Sequence, residues 1–516
     1  MHQLDWISLS LFFLLMIIIG LWSYRQVSSS GDFFVAGGKL PWWLSGISHH
    51  ISGYSGAVYV AYAAVAYTHG LTMYVWWAFM ISIAVFAGAF FIAPRWARLR
   101  SQTGIQSPTE YLKTRYNLPT QQLMAWSGVL LKLFDVGAKW AAIALLLNVL
   151  TGASLLTGIL LAGIVSLVYI TVGGLWADVW TDLAQFVVQF VAGIVMIFAV
   201  FDILDGFSTI STLWSYLPPE HGQLFNEPYT ATFALTFLVI YFFSYNGGTW
   251  NLATRYISSP SGSDARKAAL LSSALYLTWP LLLFFPMWAA PVILPGLDSP
   301  EESYALLTLE LLPPGMVGLV LAAMFANTMS MTSSDANTIS AVITRDILPN
   351  MYNKLRDLKR SQSLMLARIV TFVFTALTLV VAIYADTFGG VLGLIVTWFG
   401  ALVGPISIPM ILGLLPAFRN SDSRAAIISI AGGLVGFIVV NYVIDTSQAL
   451  QLLTPIAVSF ILYTLIGLLS RRKPSEEVVT LMDQLSLDRP HVVFTEEGEK
   501  SSESTLKDTI TSSTDA

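Results

Sequence analysis

The sequence predicts an all-α protein embedded in a lipid bilayer, and three observations predict it. The 516 residues are 55% hydrophobic and only 11% charged, a balance that soluble domains of this size lack and polytopic membrane proteins require. Apolar runs of about 20 residues recur along the chain, the length an α-helix needs to cross ~30 Å of hydrocarbon; barrel strands would alternate at period two. Lys and Arg cluster in every second connection between those runs, the asymmetry that orients membrane helices. Composition also removes function classes. With no Cys there is no disulfide, thiolate metal site or cysteine nucleophile, and nucleic acid is not an expected partner.

Taken in order, the runs read as thirteen spans: 6–24, 42–68, 72–93, 120–149, 154–172, 176–201, 231–256, 268–294, 315–344, 363–384, 389–415, 424–443 and 452–470. The first (Trp6–Trp22) is long enough to span and lacks a basic leader or small-residue cleavage site, so it reads as a span and not as a signal peptide. Arg25 and Lys39 lie in the first connection, Arg95 to Arg115 in the third, Arg255 to Lys267 in the seventh and Arg345 to Arg368 in the ninth. Arg419 and Arg424 follow in the eleventh, with Arg471 to Lys473 after the last span. The alternate connections hold acids such as Asp202, Glu227 and Glu301, with no Lys or Arg. By the positive-inside rule the N-terminus is outside and the C-terminus cytoplasmic, in a plasma or bacterial inner membrane. The Ser/Thr/Glu-rich tail, 474–516, is expected to be disordered.

Two spans are interrupted in the same manner, by Ser52-Gly53-Tyr54-Ser55-Gly56 and by Ser244-Tyr245-Asn246-Gly247-Gly248-Thr249. Such runs unwind a helix and free its carbonyls, which a membrane tolerates only along a cavity. The two spans lie five apart, an odd number, so they pass through the bilayer in opposite senses. Spans two to six and seven to eleven then form inverted five-helix halves, each opening with a broken helix, the sequence-level pointer to a transporter site.

Between Leu319 and Ile343 an otherwise apolar helix carries Asn327, Ser330, Thr332, Ser333, Ser334, Asp335 and Asn337. At about 100° per residue, Ser330, Ser333 and Ser334 share roughly one quadrant. Without water at that depth, something polar must face them: either a hydrogen-bonded helix seam or a cation or solute site.

Several motifs then carry a resemblance: Asp32-Phe33-Phe34-Val35-Ala36-Gly37-Gly38 with Leu40-Pro41-Trp42-Trp43, Gly173-Gly174-Leu175-Trp176-Ala177 with Trp180-Thr181-Asp182 and Gln185, Thr344-Arg345-Asp346, and Gly404-Pro405 through Leu412-Gly413. Residues 5–470 resemble the sodium:solute symporter family. The resemblance implies a LeuT-type fold, a 5+5 inverted repeat with one extra N-terminal and two extra C-terminal helices. The implied divisions are 1–41 (extra helix and first loop), 42–203 (first repeat), 204–230 (extracellular loop), 231–416 (second repeat), 417–473 (two C-terminal helices) and 474–516 (tail).

It also implies one or two Na⁺ as coupling ions and no organic cofactor. A first Na⁺ would take the carbonyls of Ile51, Tyr54 and Asn327 and the hydroxyl of Ser330. Met331 stands where family members usually have a second hydroxyl, so the site has fewer ligands, or Ser333 and Ser334 serve one turn on. A second Na⁺ would take Asp182 with Ser330, Ser333 and Ser334, the plainer alternative being a structural carboxylate. Solute or gating positions are Ser55, Lys139, Tyr245, Asn246 and Trp398. Val58, Phe242 and Tyr276 stand where sugar-transporting members place polar ligands, which counts against a sugar.

The fourth span carries Lys132, Asp135 and Lys139. Intramembrane charge is functional by default, so Lys139 is expected either to hold a carboxylate-bearing solute or to belong to a self-neutralising cluster. His49 and His50 abut the first break as hydrogen-bonded core residues or proton carriers. The function expected is Na⁺-coupled import of a small polar or anionic organic solute such as a sialic acid or amino acid, by a monomer. H⁺ coupling, a neutral solute such as a sugar or vitamin, and a passive channel are the alternatives. An enzyme is not expected.

Overall fold

The computed structural model describes residues 1–384, 403–444, 446–470 and 472–487. Regular structure among them is helical, the sole strand-like pairing being an isolated Asn226–Tyr229 bridge. In chain order the principal helices are α1 (Gln3–Ser23), α2 (Trp42–Ile51), α3 (Ala61–His69), α4 (Met80–Phe91), α5 (Ala93–Thr103), α6 (Leu118–Thr151), α7 (Leu155–Ile203) and α8 (Ala231–Phe243). There follow α9 (Asn251–Ile257), α10 (Gly262–Ile293), α11 (Met316–Ala341), α12 (Arg360–Ile383), α13 (Gly404–Leu412), α14 (Ser423–Ile438), α15 (Gln448–Leu469) and α16 (Glu476–Ser486).

Ten helices among the described residues are long and apolar enough to cross a membrane, against thirteen expected spans. The second span is split into α2 and α3, each too short to cross alone. The fifth and sixth share α7, whose 49 residues would extend ~74 Å if straight, more than two hydrocarbon thicknesses. Its dihedrals leave the helical region at Gly174 (φ 53°, ψ −142°), so the expected connection is a single glycine bend. Of the span at 389–415, only the stretch from residue 403 on, with α13, lies within the described residues.

Both expected breaks are present. α2 ends at Ile51, and the chain runs through a 3₁₀ turn (Gly56–Tyr59) before α3. α8 ends at Phe243, followed by a π turn (Ser244–Gly248) with Gly247 at φ 123° before α9. Gly53 is required by close approach: a Cβ there would run into the Tyr276 hydroxyl and lie 3.0 Å from the Tyr245 ring.

Among the described spans α11 is the most enclosed, held at both ends by buried carboxylates. Asp5 Oδ1 accepts the N–H groups of Gly315 (2.6 Å) and Gly318 (3.1 Å) at its start, a carboxylate favoured by the helix dipole. Asp346, just past its end, accepts from Ser107 (2.6 Å), Thr109 (2.5 Å) and Gln121 (3.0 Å).

The composition from Pro474 on predicts disorder, yet α16 forms at 476–486. Val478, Leu481, Met482 and Leu485 recur at helical spacing and are buried, and Arg98 caps the C-terminal end by donating to the Leu485 and Ser486 carbonyls, each at 3.1 Å. The acidic composition of the tail hides this short amphipathic face.

Candidate functional site

Four elements converge where α11 crosses the first break. α11 brings Ser330, Ser333 and Ser334; α7 brings Asp178 and Asp182; α2 and the residue after it bring Ser48 and Ser52; α9 brings Arg255. All eight side chains are buried. Asp182 accepts from Ser330 at 2.5 Å, from Ser52 at 3.1 Å and from Ser48. Ser333 and Ser334 donate to Asp178, Ser334 at 2.9 Å. Arg255 lies between the carboxylates, its Nη2 2.6 Å from Asp178 and 3.3 Å from Asp182, and its Nε donates to Ser48 at 2.8 Å. Ser52 Oγ ties the break to α11, 3.1 Å from Ser330 and 2.9 Å from Ser334.

The charge of this cluster is informative. With all three groups ionised, two carboxylates against one guanidinium leave one negative charge, and all three side chains are wholly buried. An uncompensated buried charge costs several kcal/mol, and one monovalent cation balances it. The hydroxyl and carboxylate oxygens suit a hard ion. No three His, Asp or Glu converge among the described residues, which keeps the fixed charge low.

The four residues expected around a second Na⁺ lie together in this cluster but on two carboxylates. Ser330 bonds Asp182, while Ser333 and Ser334 turn to Asp178. Asp178 and Ser48 are absent from the sequence-based expectations, where Ser52 enters only as part of the first break and Arg255 only as a charge of the seventh connection. The spacing held the signal for most of them: Ser48/Ser52, Asp178/Asp182 and Ser330/Ser334 are all i, i+4 pairs on one helix face. Arg255 was hidden among the Lys and Arg of the following connection.

At the first break, carbonyls are taken selectively. That of Gly53 accepts from Tyr245 Oη at 2.6 Å, and that of Ser52 from Asn251 at 3.2 Å. The carbonyls of Ile51 and Tyr54 accept no hydrogen bond from any described residue, so both have lone pairs to offer. Asn327 donates to Tyr59 Oη at 2.9 Å, and its own Oδ1 is buried without a partner. Met331 is half-buried.

Tyr245 bridges the two breaks through that hydroxyl. Ser55 caps the 3₁₀ turn, accepting from Ala57 N–H at 3.4 Å. Asn246 turns to α4, donating to the Ala84 carbonyl at 3.0 Å and back to Phe242 at 2.8 Å. Trp398 lies outside the described residues. Tyr276 donates to the carbonyls of His49 and His50 at 3.2 and 2.9 Å.

Lys139 sits 2.6 Å from Asp135 and 2.8 Å from Asp335, and Lys132 3.1 Å and 2.6 Å from the same two carboxylates. Two ammonium groups and two carboxylates make a neutral, buried quartet joining α6 to α11, the self-neutralising alternative. Asp335, on the hydroxyl-rich helix, supplies the partner that the fourth span lacked. Both nitrogens of His49 are engaged, with Ser272 at 2.7 Å and the Tyr245 carbonyl at 3.0 Å, and its ring stacks on Tyr256. His50 Nε2 meets Tyr54 Oη at 3.1 Å.

Paired helix breaks beside a buried, hydroxyl-rich charge cluster define a multi-pass membrane transporter of LeuT-like fold. The family model for the sodium:solute symporter family matches residues 33–436. The chain belongs to that family and is a Na⁺-coupled symporter. It is 25% identical over 462 residues to the sodium/sialic acid symporter NanT of Aliivibrio fischeri, covering 84% of this chain and 86% of the relative. It is 26% identical over 387 residues to the sodium/glucose cotransporter of Vibrio parahaemolyticus, covering 67% and 69%. A solved Na⁺-coupled sialic acid symporter, substrate-bound and outward-open, shares the fold with a TM-score of 0.78 at 19% identity, over 92% of this chain and 99% of that one.

Proposed function

We propose that the chain imports a small, carboxylate-bearing organic solute, such as a sialic acid or an amino acid, driven by two Na⁺ through alternating access. The observation that carries the two-ion reading is that two carboxylates, Asp178 and Asp182, share the single guanidinium of Arg255, buried where α7, α11 and both broken helices meet. A cation there neutralises groups from four elements at once, so ion occupancy biases how those elements sit against one another. One Na⁺ takes Asp182, Asp178, Ser330 and Ser334 with Ser333 beside them. The other takes the carbonyls of Ile51, Tyr54 and Asn327 with Ser330. The solute lies beside Ser55 and Tyr245, at the breaks.

The architecture proposed keeps thirteen spans as two inverted repeats, counting α2 with α3 as one, α7 as two folded at Gly174, and one ending at α13. The N-terminus is outside and the Lys/Arg-rich connections are cytoplasmic.

Proteoliposomes with an inward Na⁺ gradient test this reading, using labelled sialic acid and a panel of amino acids. A substrate accumulates above its external concentration, and accumulation vanishes when choline replaces Na⁺ at fixed pH. Uptake that stops at equilibrium, or persists in choline, overturns Na⁺-driven symport. A specific observation favours a second reading of the solute: Lys139 is neutralised by Asp135 and Asp335, which suits a neutral ligand. Stabilisation in a thermal-shift screen by sugars or vitamins alone, with carboxylates inert, selects that reading.

A further inference from the structure

On the face that carries the Lys- and Arg-rich connections, a cavity of about 830 Å³ opens between the segment before α2, the end of α5 and the chain after α11. Its lining holds four cations, Lys39, Arg100, Arg345 and Arg356, and one carboxylate, Glu110. Glu110 is engaged by Arg345 at 3.2 Å and by the Gln106 N–H at 3.0 Å. The cavity therefore carries a marked positive excess.

Arg100 is the informative side chain. It is 6% exposed, yet it makes no ion pair with any described residue, and its Nε and Nη2 are buried without a hydrogen-bond partner. Burial without a carboxylate beside it holds its pKa below the ordinary guanidinium value. A buried guanidinium is normally forked onto a carboxylate, a phosphate or carbonyls, as Arg115 is onto the carbonyls of Gly413, Phe418 and Ser421. The backbone makes room for it. Gly38 (φ +69°) lies against the guanidinium, and a Cβ there would come within 1.9 Å of Arg100 Cζ. In the same lining, the buried Thr344 hydroxyl is also without a partner.

We propose that this cavity binds a phosphate-bearing anion, with the Arg100 guanidinium as its fork, Thr344 as a neutral donor and Lys39 and Arg356 at its exposed rim. The lining shares no residue with the buried cluster proposed for Na⁺, so an anion here would contact the segments flanking α2 and α11 without sharing a ligand with the coupling ions. The shared chemistry admits two sources, a free phosphate or the headgroup of an anionic lipid.

The experiment is thermal unfolding of the full chain in detergent with potassium phosphate, against potassium chloride at equal ionic strength. It is repeated in nanodiscs of phosphatidylcholine with and without phosphatidylglycerol. Stabilisation by phosphate over chloride identifies a free anion; stabilisation by phosphatidylglycerol alone identifies a headgroup. In either case Arg100→Gln weakens the response by about tenfold or more in half-saturating concentration or lipid fraction. Lys39→Gln, on the exposed rim, weakens it less without threatening the fold. Gly38→Ala, which keeps every charge and displaces the guanidinium, matches Arg100→Gln. Equal effects of phosphate and chloride with no lipid response, or an undiminished response in Arg100→Gln or Gly38→Ala, overturn the proposal. Should Arg100→Gln fail to fold, Lys39→Gln and Gly38→Ala decide it alone.

Discussion

At the scale of single residues, two buried charge clusters touch the same helix and differ by one unit of charge. The quartet of Lys132, Lys139, Asp135 and Asp335 is neutral and complete, whereas Asp178, Asp182 and Arg255 leave one negative charge over. The same substitution should thus act differently in each. Asp182→Asn removes the surplus charge and should raise the Na⁺ concentration for half-maximal transport at least about tenfold, given ~4 kcal/mol between unit charges at 4 Å and an effective dielectric of 20. Asp135→Asn leaves two ammonium groups facing one carboxylate and should cost about 3–5 kcal/mol of stability, seen as a lower unfolding temperature, with Na⁺ half-saturation of the surviving protein little changed. Wild-type Na⁺ dependence in Asp182→Asn would remove that residue from the ion path. The sequence exposed Asp182 and the serines because hydroxyls and acids stand out in an apolar run. It concealed Arg255, since an arginine at the edge of a basic connection and one pointing into a site look alike in one dimension.

At the scale of elements, the two interrupted helices are joined directly by the Tyr245 hydroxyl on the Gly53 carbonyl. Tyr245→Phe keeps the ring and its edge-on packing against Tyr276 (centroids 5.5 Å apart) and removes only the bridge. Stability should fall by about 1 kcal/mol, while Na⁺-driven uptake slows several-fold, because the breaks no longer move as a unit. Uptake equal to wild type in vesicles of matched protein content would show that the bridge is packing alone. The breaks themselves were legible because paired glycines with hydroxyls have few other uses in a membrane helix. Two features of the same kind were not. The Gly173-Gly174 motif reads as a connection between spans but is a bend inside α7, since one left-handed glycine can turn the chain without a loop. α16 was lost in the acidic tail because four apolar residues at spacing three and four are a weak signal in so short a window.

At the scale of the whole molecule, the two proposed Na⁺ positions share Ser330, which bonds both Asp182 and Ser52. Shared ligands couple the sites. An ion that orders Ser330 in one spares the other part of that cost, so binding should be positively cooperative. The consequence is energetic as well as kinetic. One Na⁺ crossing 100 mV down a tenfold gradient releases about 3.7 kcal/mol, enough for roughly 500-fold accumulation of a neutral solute, and two support roughly 10⁵-fold. Measured Na⁺:solute stoichiometry should therefore be two, with a Hill slope clearly above one. Ser334→Ala, which touches only the acidic cluster, should bring the slope to one while solute uptake remains Na⁺-dependent. Ser330→Ala, at the shared position, should weaken both ions and depress uptake further than Ser334→Ala. A slope near one in the wild type, unchanged in Ser334→Ala, would assign the acidic cluster a structural role and reduce the coupling ions to one.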